Sequence, residues 1–147
     1  MHLRAIRPFV EWEKTASAAM AGDPLWSVRA FRLALYAVEC RSLDLVEVVR
    51  PPHADDGDQL TRAVGSIAAN IAEGYSRASS ADRARFYSYA LGSVREAIVW
   101  YEMRRREIGS ATADRQATLV EIRRLLLTTI RRMRPIGGTA KLRDPRS

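Results

Sequence analysis

Positions Leu119, Ile122, Leu126, Thr129 and Met133 succeed one another at alternating steps of three and four. At 3.6 residues per turn such steps keep every member on one face of an α-helix, the seam of a bundle or a coiled coil. Nowhere in the 147 residues does the chain show the period-two alternation of a half-buried strand. The chain is therefore expected to be all-α. The short connections between its periodic stretches predict an antiparallel up-down-up-down four-helix bundle.

Four stretches carry the pattern. The first helix is expected over residues 23–49, with Asp23 capping free N–H groups and Pro24 in the first turn, where its missing N–H costs nothing. Two prolines make residues 50–57 a loop. The second helix is expected over 58–73, with Leu60, Val64, Ile67 and Ile71 inward and Gly74 ending it. Ser79 and Asp82 resemble a capping box opening the third helix, 80–107, which packs Phe86, Ala90, Val94, Ala97 and Tyr101. Gly109-Ser110 stops that helix, and the fourth runs over 113–134 until Pro135. The organisation is thus an N-terminal arm (1–22), a bundle (23–135) and a basic C-terminal tail (136–147).

The first helix is apolar on two sides. Val28, Phe31, Leu35, Val38, Leu45 and Val49 form one face, while Trp26, Leu33, Tyr36, Cys40 and Leu43 fall on roughly the opposite one. In a lone bundle that second face would be wet, so it reads as a subunit interface. The plainer alternative is scattered surface apolars with Tyr36 and Cys40 half-buried.

Net charge is +7, and it is localised: residues 1–50 carry +1, residues 51–100 carry −1, and residues 101–147 carry +7. Codon usage can favour arginine over lysine, but it does not place the excess in the last third. Such asymmetry suits electrostatic capture of a polyanion. One cysteine, Cys40, and two histidines, His2 and His53, supply neither a disulfide framework nor a usual zinc spacing. The first residues lack an apolar signal region, and no stretch approaches the roughly 18 apolar residues of a membrane span. A reducing, cytoplasmic setting is expected, with no membrane role, metal or cofactor.

The residues suited to an acidic partner are Arg104, Arg105 and Arg106 near the end of the third helix, and Arg123, Arg124, Arg131, Arg132 and Arg134 on the fourth. Arg123, Arg124, Arg131 and Arg134 fall within about a quarter-turn, turned away from the Leu119–Met133 seam. Arginine's planar fork matches phosphate oxygens, in contacts that are mostly sequence-independent and salt-sensitive. Equal weight belongs to a solvated outer face that also answers the helix macrodipole. Glu73 and Glu96, beside Asn70 and Arg62, have the residue types of an acid–base pair, yet no nucleophile, metal site or cleft accompanies them. Hydrogen bonding across the second and third helices, or capping at Gly74, fits them better. Ser66, Ser93 and Cys40 have no histidine placed to activate them, and they read as small packing residues. No catalytic site and no small-molecule substrate are expected.

The run RAVGSIAANIAEGYSR, residues 62–77, together with Phe86, ALGS at 90–93 and Glu96, resembles the bacterial four-helix-bundle family first noted as reading frames inside rRNA intervening sequences. The resemblance covers about residues 25–134. It implies that Arg62, Ser66, Asn70, Glu73, Gly74, Ser93 and Glu96 lie where the second and third helices pack. Relatives of that fold include the accessory variability determinant of diversity-generating retroelements, a basic, barrel-shaped homopentamer that binds nucleic acid and a reverse transcriptase. By similarity the resemblance implies a ring-shaped homopentamer here, with Trp26, Leu33, Tyr36, Cys40 and Leu43 facing a neighbouring subunit. The expected function is a non-enzymatic, homo-oligomeric RNA-binding accessory protein, partnered by a reverse transcriptase in mutagenic retrohoming where the gene sits in a retroelement. The alternative is a structural protein–protein interaction bundle with no nucleic-acid role.

Overall fold

The computed structural model describes residues 6–47 and 54–134, with side chains described over 6–44 and 59–134. His2, His53, the tail residues 135–147 and the prolines of the first loop lie outside the described residues. Everything ordered into regular structure within them is helical, with no strand. Two short helices, α1 (Phe9–Trp12) and α2 (Ala18–Ala21), precede four long ones: α3 (Arg29–Glu47), α4 (Ala54–Tyr75), α5 (Ser80–Met103) and α7 (Ala111–Met133). A single turn, α6 (Arg105–Ile108), lies between the last two.

Local chemistry sets several boundaries. Ser79 is extended, and its hydroxyl accepts the Asp82 N–H at 3.1 Å, opening α5 as the sequence suggested. Asp23 accepts the Leu25 N–H at 2.8 Å with Pro24 in the first position, but it opens a 3-10 turn, Pro24–Ser27. Val28 is extended after that turn, so α3 begins at Arg29. Residues 54–57, expected in the loop, belong to the first turns of α4. The predicted third helix is interrupted at Arg104, whose φ of −99° and ψ of 8° close α5. Gly109 takes φ +71° between α6 and α7, a conformation glycine adopts without a Cβ penalty.

Each long helix touches two others in the cyclic order α3, α4, α5, α7. Ser66 meets Ser93, and Gly74 lies against Tyr87, so α4 and α5 run in opposite directions. Leu60, Val64, Ile67 and Ile71 of α4, Ala90, Val94, Ala97 and Tyr101 of α5, and Leu119, Ile122, Leu126 and Ile130 of α7 form the shared core. Each large apolar side chain taken from water there contributes about 1.5–3 kcal/mol.

On α3 the two sequence faces prove to be flanks of one buried sector centred on Ala30, Ala34 and Ala37. Alanine carries little hydrophobic signal but permits close approach, so periodicity read from large residues straddled the true centre. On α5 the inward residue is Tyr87. Phe86 sits half-buried on a flank, with the Arg77 and Arg85 guanidiniums 4.6 and 5.2 Å from its ring centre.

Candidate nucleic-acid interface

The C-terminal half of α7 turns one face inward and leaves Arg124, Arg131, Arg132 and Arg134 exposed. Among the described residues none of these four has an acidic partner within ion-pair distance. Arg123 is half-buried, because its helical position lies beside Ile130 and borders the core. The expected four-arginine stripe is therefore Arg124, Arg131 and Arg134, edged by Arg123.

The 104–106 group departs further from expectation. Arg104 is only 8% exposed and pairs with Glu107 at 2.6 Å, so it supports the α5–α6 corner and is not presented to a ligand. Arg105 is exposed and lies 3.4 Å from Glu102. Arg106 is exposed. At 1.5 Å per residue, Arg124 lies about 20 Å and Arg131 about 30 Å along α7 from Ala111, the end nearest Arg105 and Arg106.

The residues singled out on α4 and α5 do meet, though in fewer ways than expected. The Ser66 and Ser93 hydroxyls are 2.5 Å apart, and Ser93 also donates to the Tyr89 carbonyl at 3.2 Å. This bond fixes the two helices side by side. The others stay on their own helix: Asn70 donates to the Ser66 carbonyl at 2.8 Å, Glu73 accepts from Arg77, and Glu96 accepts from Trp100 at 3.4 Å. Arg62 is exposed. Glu73 and Glu96 are both exposed. Gly74 does not end α4, which continues to Tyr75; it is needed because a Cβ there would lie 2.8 Å from the Tyr87 ring.

The predicted subunit face of α3 is largely occupied from within the chain. Leu33 and Cys40 are 3% and 2% exposed, inside the molecule and out of reach of a neighbour. Trp26 and Tyr36 are half-buried beneath the N-terminal arm. There Phe9 and Trp12 pack on Tyr36 at ring separations of 5.5 and 5.4 Å, and Trp12 lies 6.2 Å from Trp26. Tyr36 donates to the Arg7 carbonyl at 2.9 Å, and Glu13 pairs with Arg32 at 3.2 Å. Leu43 remains half-buried at the rim of a cleft of about 530 Å³ between arm and α3, near Arg7, Trp12 and Glu39. The arm is thus the partner that the two-sided helix required.

Sequence reading missed a polar cluster at the far end of the core. Arg115 grips Asp44 with both prongs, Nη2 at 2.8 Å and Nε at 2.9 Å, and Tyr101 donates to the same carboxylate at 3.1 Å. Asp44 is 4% exposed and Tyr101 1%. Burial alone would lower the Arg115 pKa, but the hydrogen bond and charge of Asp44 raise it, so the guanidinium stays charged. Burial also raises the Tyr101 phenol and the Cys40 thiol above their ordinary values. An aspartate and an arginine both falling at inward helical positions were the available signal. No group of three or more His, Cys, Asp or Glu residues able to hold a metal occurs among the described residues. No helix among them is long and apolar enough to cross a membrane.

The family model for 23S rRNA-intervening sequence protein matches residues 53–127, just over half of the chain. The chain belongs to the 23S rRNA-intervening sequence protein family. No curated protein matches it. The family match begins just before α4, includes α5 and α6, and ends within α7. It therefore contains the Ser66–Ser93 contact and the Gly74–Tyr87 approach, and it excludes both the arm and α3. Of the exposed α7 arginines only Arg124 lies within the family match; Arg131, Arg132 and Arg134 follow it.

Proposed function

We propose that this member of the 23S rRNA-intervening sequence protein family is a non-enzymatic, homo-oligomeric RNA-binding accessory protein. Its four long helices form an antiparallel up-down-up-down bundle, a reading supported by their cyclic contacts and by the opposed directions of α4 and α5. The observation that carries the RNA reading is the exposed face of α7, where Arg124, Arg131, Arg132 and Arg134 stand without acidic partners among the described residues. A surface that merely needed solubility would mix signs. One that meets phosphates profits from arginines left unpaired.

Repetition of this face in a homo-oligomer would multiply weak phosphate contacts into avidity. The assembly proposed from the family resemblance is a ring of five. Its subunit contacts must lie away from Leu33 and Cys40, which are interior. A reverse transcriptase is the protein partner where the gene neighbours one.

Titration of a structured RNA across a salt series tests the proposal. The expected result is a linear fall of log affinity with log salt. Arg124→Glu with Arg131→Glu should flatten the slope by about one unit for each phosphate no longer neutralised. Binding that ignores both salt and these substitutions would leave the rival reading, an interaction bundle docking a protein.

A further inference from the structure

The cleft of about 530 Å³ between the arm and α3 is built wholly from residues outside the stretch that marks the family. Its size falls within the range of about 300–1,000 Å³ that small-molecule and cofactor sites occupy. Its walls are of two kinds. Ile6, Trp12, Tyr36 and Leu43 are half-buried apolar surfaces, and Arg7 and Glu39 are exposed charges. Tyr36, Glu39 and Leu43 succeed one another at steps of three and four, so α3 presents them on one face, with Glu39 about 4.5 Å along the axis from Tyr36. The Tyr36 hydroxyl, donating to the Arg7 carbonyl at 2.9 Å, fixes where Arg7 leaves the arm. Trp12 touches Phe9, Tyr36 and Trp26 and still turns surface to the cleft.

Arg7 and Glu39 are opposite charges lining one cleft, yet they do not pair, and neither has another charged partner among the described residues. Unpaired charges of opposite sign beside aromatic surface describe a ligand of three parts: a flat ring, hydrogen-bond donors on one of its edges, and an anion away from that edge. A basic peptide would suit Glu39 and be repelled at Arg7, and an acidic one the reverse.

We infer that the cleft holds one guanine nucleotide, its base against Trp12 and Tyr36, its Watson–Crick edge at Glu39 and its phosphate at Arg7. Contact with aromatic rings accepts any base, so Glu39 makes the choice. A carboxylate only accepts hydrogen bonds. Guanine sets two adjacent donors, N1–H and the N2 amino group, against its two oxygens. Adenine and cytosine offer one amino group beside a ring nitrogen whose lone pair faces the carboxylate, and uracil flanks its one N–H with two carbonyls. The Arg7 fork matches phosphate oxygens. A free nucleotide and an unpaired guanosine in a strand share this chemistry. The site goes beyond the proposed function and uses none of the α7 arginines.

Calorimetric titration of the full chain with guanosine 5′-monophosphate, and with a short single-stranded RNA carrying one guanosine, tests the inference. The guanosine compound should bind at least about tenfold more tightly than its adenosine, cytidine and uridine counterparts. Glu39→Gln should erase that preference, and Arg7→Gln should erase the advantage of the monophosphate over guanosine. Both side chains are exposed, so far-ultraviolet circular dichroism should stay unchanged. A strand that binds more tightly than the mononucleotide, with the same dependence on Glu39, identifies RNA as the source; the reverse order identifies a free nucleotide. No binding of either probe at millimolar concentration, equal affinity for all the bases, indifference to Glu39→Gln, or a lysine peptide held in place of the nucleotide would overturn the inference. Arg124→Glu with Arg131→Glu should leave guanosine monophosphate binding intact, so failure of this site and failure of the salt-dependent RNA reading are separate results.

Discussion

Asp44 gathers more buried polar chemistry than any other described residue, and its removal should be costly in proportion. Asp44→Ala leaves a buried guanidinium and phenol without their acceptor, an expected loss of about 3–5 kcal/mol. Combining Asp44→Leu with Arg115→Met and Tyr101→Phe should recover most of that loss in urea unfolding, since apolar replacement of a whole buried cluster is often neutral. At Gly74 the Tyr87 ring stands where a Cβ would go, so Gly74→Ala should cost about 1–3 kcal/mol. Gly65→Ala, with open space around it, should instead stabilise by about 0.5–1 kcal/mol. An equal effect at both glycines would contradict the close approach. The titrating groups make a further prediction. Burial pushes the Tyr36 phenol up to about 12 and also raises Tyr87, Tyr101 and Cys40. The unfolded chain therefore ionises first, near 8.5 for the thiol and 10 for the phenols. These groups contribute fully below those values and lose their contribution as pH rises toward 12, so the melting temperature should fall over that range. A rise would refute the assignment. Ser79 was legible from sequence because its partner is three residues away. Asp44 was not, because its partners are 57 and 71 residues distant and only the fold brings them together.

At the scale of elements, helix periodicity located every long helix but not its axis of burial. The α4 stripe was read without error because its inward residues are large: Leu60, Val64, Ile67 and Ile71. The α3 stripe was split in two because its centre is alanine. Helix ends were less legible where a turn chemistry had two outcomes, as at Asp23-Pro24, which opens a 3-10 turn before the helix proper. The arm had aromatic residues enough to grip something, but its target could not be read without the fold. Deleting residues 1–16 should uncover Trp26 and Tyr36, lower the melting temperature and shift tryptophan emission to longer wavelength. The point variant Trp12→Ala should cost about 2 kcal/mol, roughly half of a fully buried truncation. Unchanged emission after the deletion would mean that the arm does not cover α3.

For the molecule as a whole, the all-helical class followed from periodicity alone, whereas the disposition of charge did not. A wheel drawn on the Leu119–Met133 seam left out Ile130 and so set Arg123 outside, and it could not reveal that Arg104, at the end of α5, is buried or that Arg124 and Arg131 stand about 20 and 30 Å along α7 from the end that carries Arg105 and Arg106. The buried triad of Asp44, Tyr101 and Arg115 crosses a different boundary. Tyr101 and Arg115 lie inside the stretch that marks the family, and Asp44 lies outside it, on a helix the family match does not reach. Three positions so tightly bonded cannot drift one at a time. Along any line of descent that keeps this interior, a change at one should be tolerated only alongside changes at the others. The first long helix of this chain is then bound by inheritance to a segment with which it shares no family signature.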